Sequence, residues 1–146
     1  ECVTLHLIKL CVGVEEPDEL VKWQAMRRQQ KREAGLPDVI AHITRMVPKR
    51  ADELLDGGSL YWVMKGSIRC RQRLLDVETF TDEEGIRRCR LVLDPEVVQT
   101  ELRARRPFQG WRYLKVEDAP EDISGEGEAG DMPPEMRAEL RALGLL

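Results

Sequence analysis

Apolar and polar residues alternate along much of this chain, and the alternation predicts a fold rich in β-strands. Residues 3–12 are largely apolar on both faces of the alternation, which is typical of a central strand that is buried on both sides. Further strands are predicted where alternating segments end at Gly, Pro or Asp: residues 39–47, 59–65, 67–77 and 86–93. Residues 103–115 then predict a loop that leads into a last strand.

Residues 17–34 have the clearest helical pattern in the chain. Pro17 suits a first helical turn, and Gly35 is a typical stop. We expect the helix to pack through the stripe formed by Leu20, Trp23, Met26 and Gln30.

A strand, a long helix and then a run of strands indicate an α+β domain rather than repeated βαβ units. Five or six mainly antiparallel strands with one packed helix predict a small, partly closed β-barrel. We expect this single domain to cover residues 1–116. Residues 117–132 are rich in Gly, Pro and acids, so they predict an acidic flexible linker. Residues 133–146 predict a short C-terminal helix that docks on the domain, docks on a partner or frays.

The composition fits a soluble protein and changes this picture little. No apolar run approaches the roughly 18 residues of a membrane-spanning helix, and the start of the chain lacks the pattern of an export signal, so we expect a cytoplasmic location without membrane contact. No two of the four cysteines have the spacing of a metal or redox motif. We therefore expect no metal, no cofactor and free thiols.

The charge is distributed unevenly along the chain. Residues 1–115 contain 21 Lys and Arg against 18 Asp and Glu, whereas residues 116–146 contain 2 against 9. A mildly basic domain followed by an acidic tail favours binding to a polyanion. It also predicts that the acidic segment folds over the basic surface and competes with that polyanion.

The predicted strand 67–77 places Arg69, Arg71 and Arg73 on one face and Ile68, Cys70 and Leu74 on the other. Pairing this strand with the next one puts Glu96 opposite Arg71, Asp94 opposite Arg73 and Val77 opposite Arg90. Two interpretations stay open. The arginines form cross-strand ion pairs on an exposed face, or they form a basic strip that faces a ligand.

A second basic segment, residues 103–115, mixes arginines with aromatic rings. Arginines hold phosphates and rings stack on bases, so this pattern is typical of proteins that bind single-stranded nucleic acid. The alternative is that the rings close one end of the core. The predicted nucleic-acid contacts are Arg69, Arg71, Arg88, Arg90, Arg105, Arg106, Trp111, Arg112 and Tyr113.

Catalysis has little support in the sequence, and no catalytic residue is predicted. The two histidines, His6 and His42, lie in predicted strands, and no nucleophile or phosphate-loop motif occurs. A small pocket near Tyr61, Trp62 and Lys65 is the alternative location for a ligand.

Several longer segments resemble an uncharacterised bacterial family, a domain of unknown function: residues 4–10, 44–46, 50–66, 71–73, 93–95 and 105–114. The resemblance covers about residues 3–115 and implies no activity. Residues 65–71 are also similar to the Gly-x-Lys-x-x-Glu-x-Arg strand of ASCH and PUA-like barrels, although Arg69 replaces the acid and Lys65 precedes the glycine. This looser resemblance implies a barrel that binds RNA or modified bases.

We therefore expect a small RNA-binding module with a PUA-like barrel. One alternative is a protein-interaction or adaptor protein that docks through its C-terminal helix, and a homodimer is one form of it. The other is a small enzyme that acts on a nucleotide-like or phosphorylated substrate.

Overall fold

The computed structural model describes residues 4–123, which form strands, two α-helices and one 3-10 turn. The helices are α1 (Pro17–Glu33) and α2 (Ala51–Leu54), and the turn is Val116–Asp118. The strands are β1 (Leu5–Leu10), β2 (Ile40–Thr44), β3 (Ser59–Met64), β4 (Ser67–Thr81), β5 (Arg87–Leu93), β6 (Val98–Ala104) and β7 (Trp111–Lys115).

These strands form one mostly antiparallel sheet in the order β2-β5-β4-β3-β1-β7, and β6 pairs with β4 beside this path. β1 and β3 run parallel, whereas the other pairs are antiparallel. The α+β class is therefore confirmed. β2 and β7, at the two ends of the path, do not pair with each other, so the sheet is open among the described residues.

The long strand β4 serves two parts of the sheet. Its first half pairs with β3 and β6, and its second half pairs with β5. The register shifts between Leu74 and Asp76, so Glu78 rather than Val77 lies opposite Arg90. The sequence pattern predicted neither this shift nor β6. A register shift adds one residue to a strand, and a period-two alternation does not show where such a residue lies.

A second irregularity in β4 is a β-bulge at Arg69. Trp62 of β3 pairs with Cys70, and the next residue, Val63, pairs with Ile68, which leaves Arg69 as the extra residue. Ile68 and Cys70 consequently pack into different cores, and the prediction that they share a face is wrong. Beyond the bulge, Arg71 lies opposite Tyr61.

Two groups of buried apolar side chains lie on opposite faces of β1 and β3. The first core includes Leu7, Leu60 and Trp62, and it continues to α1, α2 and β5. The second core consists of Ile8, Tyr61, Val63, Ile68 and Leu114, with Phe108 and Ala119 packed against it. β1 is thus buried on both sides, as its sequence predicts.

Helix α1 packs on the first core through a stripe that shares only Leu20 with the predicted one. Pro17, Leu20 and Gln24 are buried, whereas Trp23 and Met26 are 51% and 50% exposed. The reason is a polar contact that an apolar pattern does not report. The amides of Gln24 and Gln72 exchange hydrogen bonds of 3.0 and 2.8 Å. The Gln72 amide also accepts the indole N–H of Trp62 and donates to a backbone carbonyl.

The first seven residues of the expected linker have defined contacts. Backbone hydrogen bonds from Glu101 N–H to Glu121 and from Ile123 N–H to Gln99 hold this segment along β6. The rest of the linker, 124–132, and the expected C-terminal helix, 133–146, lie outside the described residues. No helix within residues 4–123 is long and apolar enough to cross a membrane.

Gly58 is expected to be intolerant of any side chain. A Cβ at this position would overlap the backbone carbonyl oxygens of Leu5 and Leu54, so β1 and α2 would have to separate. We expect Gly58→Ala to lower the free energy of unfolding by at least about 3 kcal/mol, measured by urea denaturation. Gly85→Ala is the control. The positive φ of Gly85 strains an alanine by about 1–2 kcal/mol, but an added Cβ would have no atom within 4 Å apart from those of the neighbouring residues in the chain. Equal losses in both variants would contradict the steric argument.

Candidate functional site

The predicted arginines of β4 and β5 are mostly bound to other groups of the protein. Arg69 is 5% exposed; its Nε donates to the Met64 carbonyl at 2.9 Å, and its Nη1 lies 3.6 Å from Glu16. The bulge places this side chain in the interior, so Arg69 does not lie on the surface predicted to contact nucleic acid.

Arg88 and Arg90 both form ion pairs, Arg88 with a residue of the turn after β4 and Arg90 across the two strands. Arg88 binds the Asp82 carboxylate at 2.5 Å, and Arg90 lies 3.4 Å from Glu78. The guanidinium of Arg90 also stacks on Phe80, 4.4 Å from the ring centre. These arginines are neutralised locally, so they offer a polyanion little net charge.

Three other predicted arginines line one open cavity of about 360 Å³, and two of them lie against an aromatic ring. We call Arg105, Arg106, Phe108 and Arg112 the arginine loop; the first three lie in the connection from β6 to β7, and Arg112 lies at the start of β7. The guanidiniums of Arg105 and Arg112 lie 5.7 and 5.5 Å from the centre of the Phe108 ring. All three arginines are exposed, and no carboxylate among residues 4–123 forms an ion pair with them.

The local structure holds this loop in place. Phe108 packs against the second core, and the backbone N–H of Arg105 donates to the Gly66 carbonyl at 2.8 Å. Arg112 donates to the carbonyls of Gln109 and Trp111. The arginine charges are therefore displayed on an ordered segment.

Trp111 and Tyr113 do not take the predicted role of base-stacking rings. Trp111 is 4% exposed, and its indole N–H donates to the Met46 carbonyl at 2.8 Å. The Tyr113 hydroxyl accepts hydrogen bonds from the backbone N–H groups of Lys49 and Arg50. Both rings face the first core from β7 and fix the segment after β2, as the alternative interpretation expected.

The predicted pocket of Tyr61, Trp62 and Lys65 does not form. Tyr61 and Trp62 are neighbours in β3, so their side chains enter opposite cores. Lys65 lies in the following turn at φ 51° and pairs with Glu15 and Glu16 at 3.6 and 3.2 Å.

Tyr61 instead belongs to a different pocket, which we call the Arg71 pocket. Its polar members are His6, Ser59, Tyr61, Arg71 and Asp122, and its volume is about 340 Å³. Adjacent strands supply the first four residues, because the bulge places Arg71 beside Tyr61. Asp122 comes from the segment after β7. The sequence pattern gave no signal for this carboxylate as the specific partner of Arg71.

Hydrogen bonds define the chemistry of this pocket. Arg71 Nε and Nη2 bind the two oxygens of Asp122 at 2.7 and 2.6 Å, and Nη1 donates to Ser59 Oγ at 3.0 Å. His6 Nδ1 accepts the backbone N–H of Ser59 at 3.0 Å. A neutral His6 therefore carries its proton on Nε2, which is a donor.

Burial favours the uncharged forms of His6 and Tyr61 in the Arg71 pocket. Burial lowers the pKa of His6, and the nearby Arg71 charge lowers it further while Asp122 raises it. Burial raises the pKa of the Tyr61 hydroxyl, opposed by Arg71. That hydroxyl has no hydrogen-bond partner among residues 4–123. His6 and Tyr61 thus provide neutral hydrogen-bond donors next to the guanidinium of Arg71.

The thiols and carboxylates do not suggest a metal or a nucleophile. Within the described part of the chain, no cluster of three or more His, Cys, Asp or Glu residues could hold a metal ion. Burial raises the pKa of Cys11 to about 11 and that of Cys70 to about 12, so both remain thiols near neutral pH.

An apolar cavity of about 300 Å³ lies where α1 meets the ends of β1 and β2. Trp23, Trp62 and His42 contribute rings to its walls, and His42 contacts Trp62 edge to face at 5.3 Å. His42 Nε2 is buried without a hydrogen-bond partner among residues 4–123. The sequence pattern did not predict this cavity.

The arginine loop and the Arg71 pocket share one face of the sheet. Phe108 of the loop and Tyr61 of the pocket both pack on the second core, and Ala119 joins that core from the segment that carries Asp122. The face therefore presents unpaired arginines at the loop and a paired arginine at the pocket.

A family model described as "Protein of unknown function (DUF1489)" matches residues 7–146 of the chain. No curated protein and no solved structure matches it.

His42 is expected to make folding pH-dependent. Burial, aided by the charge of Lys9, lowers its pKa from the ordinary 6.5 to about 4. The unfolded chain then binds a proton at a pH where the folded protein does not, so stability falls as the pH drops from about 6.5 to about 4, by up to about 3 kcal/mol. Urea denaturation between pH 6.5 and 4 should show a smaller loss of stability for His42→Phe than for the wild type. An NMR titration of His42 near its ordinary pKa would contradict this.

Proposed function

The chain belongs to DUF1489, a family of proteins of unknown function, and we propose that it binds single-stranded RNA through the arginine loop. The observation that carries this proposal is the contrast between its arginines. Arg71, Arg88 and Arg90 have carboxylate partners, whereas those of the loop have none among residues 4–123. Exposed, unpaired guanidiniums held close together bind phosphate groups well.

The arrangement around Phe108 supports phosphate binding more than base recognition. Two guanidiniums already lie over this ring, which positions them, and the ring is half-buried. Trp111 and Tyr113 are bound inward, so the loop has no free ring for stacking on a base. We therefore propose contacts to the RNA backbone with little sequence preference.

The resemblance of residues 65–71 to PUA-like barrels supports RNA as the polyanion. We propose that the sheet corresponds to a partly closed barrel of that type. A cytoplasmic location accompanies this proposal, since the buried thiols of Cys70 and Cys89 suit a reducing compartment.

The double variant Arg105→Glu/Arg106→Glu tests the proposal. Fluorescence anisotropy with a labelled single-stranded RNA at low salt should show at least about tenfold weaker binding. The slope of log affinity against log salt should fall by about 1.4, because each phosphate contact on a single strand contributes about 0.7.

The matched control is Arg27→Glu/Arg87→Glu, which changes the net charge equally at two exposed arginines outside the loop. This control should retain most of the affinity. Equal losses in the two double variants, or no RNA binding by the wild type at low salt, would rule out the arginine loop as an RNA site.

Protein–protein contact is the second candidate function, and an exposed apolar strip of α1 favours it. Trp23 and Met26, three residues apart on one side of the helix, are 51% and 50% exposed. If this strip forms a homodimer, sedimentation velocity should show a dimer for the wild type and a monomer for Trp23→Glu/Met26→Glu. A wild-type monomer at all concentrations would remove the homodimer, and Lys22→Glu/Gln29→Glu on the same helix is the control.

A further inference from the structure

Asp122 binds Arg71 in the way that an anionic ligand would. The guanidinium fork grips both carboxylate oxygens, at 2.7 and 2.6 Å, in the bidentate geometry with which arginine also binds phosphate. The carboxylate is on the outer side of the pocket, since the Asp122 side chain is 43% exposed and that of Arg71 is 23% exposed.

The pocket contains more donors than Asp122 uses. A guanidinium has five N–H bonds, and the bonds to Asp122 and Ser59 occupy three of those of Arg71. His6 Nε2–H and the Tyr61 hydroxyl add two neutral donors in the same pocket. A tetrahedral phosphate accepts from more directions than a carboxylate, so it would satisfy donors that Asp122 leaves open.

The part of the chain that carries Asp122 pairs with β6 through only a few backbone bonds, although Ala119 before it packs on the second core. Asp122 forms an isolated bridge with Thr100, flanked by the bonds of Glu121 and Ile123 to β6. Such a short pairing opens far more easily than a central strand.

We propose that the Arg71 pocket is a binding site for a phosphate group and that Asp122 occupies it as an internal competitor. The phosphate belongs either to a small phosphorylated molecule or to the backbone of a nucleic acid. This site is separate from the arginine loop and does not depend on the loop's proposed role.

The variant Asp122→Asn tests the competitor role, because it keeps the shape of the side chain and its backbone bridge but removes the charge. NMR signals of the His6 ring report on the pocket during titration with inorganic phosphate. We expect phosphate to bind Asp122→Asn at least about tenfold more tightly than the wild type, since the competing charge is gone.

The control is Asp118→Asn, which removes an exposed charge from the same segment without touching Arg71. It should bind phosphate like the wild type. Equal phosphate affinity in all three proteins, or no shift of the His6 signals in Asp122→Asn, would overturn the proposal and leave the contact as a structural clamp.

A second measurement keeps the test valid if Asp122→Asn does not fold. Titration of the folded wild type to high phosphate should still shift the His6 signals, and Arg71→Lys should weaken that shift because lysine cannot form the fork. Absence of any shift in the wild type would then overturn the site.

The source of the phosphate follows from RNA binding by the same variants. Tighter RNA binding by Asp122→Asn than by Asp118→Asn assigns the pocket to the nucleic-acid backbone. Unchanged RNA binding together with tighter inorganic phosphate assigns it to a small phosphorylated ligand. The Arg105→Glu/Arg106→Glu protein should keep its phosphate response, which separates a failure of the loop from a failure of the pocket.

Discussion

The β-bulge at Arg69 is the constraint on which the arrangement of the candidate site depends. By adding one residue to β4 between Ile68 and Cys70, it moves the following residues to the opposite face. Arg71 thereby stands opposite Tyr61 instead of sharing a face with Arg69. The bulged residue is itself stabilised, because Arg69 binds the Met64 carbonyl and approaches Glu16 at the start of α1. Lys65 pairs with the same glutamate, so the turn before β4 and the helix secure the bulge together.

The sequence predicted regular elements well and irregular ones poorly. The apolar pattern located β1, β2, β3 and β5 within a few residues, since burial on one face leaves an alternation and burial on both faces leaves a nearly continuous apolar run. The stripe of α1 was misassigned because Gln24 is buried by pairing with Gln72, 48 residues away. A bulge and a distant amide partner depend on tertiary contacts, and these have no local pattern.

The charged residues show the same limit in another form. The sequence singled out arginines of β4, β5 and the arginine loop as candidates, but it could not separate paired from unpaired ones. Arg71 is neutralised by Asp122, 51 residues later, rather than by Glu96, which the predicted strand pairing put opposite Arg71. The same predicted pairing put Val77 instead of Glu78 opposite Arg90, because the register of β4 shifts by one residue. Which arginines remain available for a ligand is therefore a property of the fold.

The second core connects the two basic features of this face. Phe108 and Tyr61 belong to the same group of packed side chains, so the arginine loop and the Arg71 pocket are attached to one core. Loop arginines ordered in this way lose less conformational entropy on binding than arginines on a mobile segment would. Asp122 acts on the same face with the opposite sign. Its carboxylate removes one positive charge while it stays on Arg71, and that charge returns when it leaves. The electrostatic character of the face thus depends on a short segment after β7 as well as on the arginines of the strands.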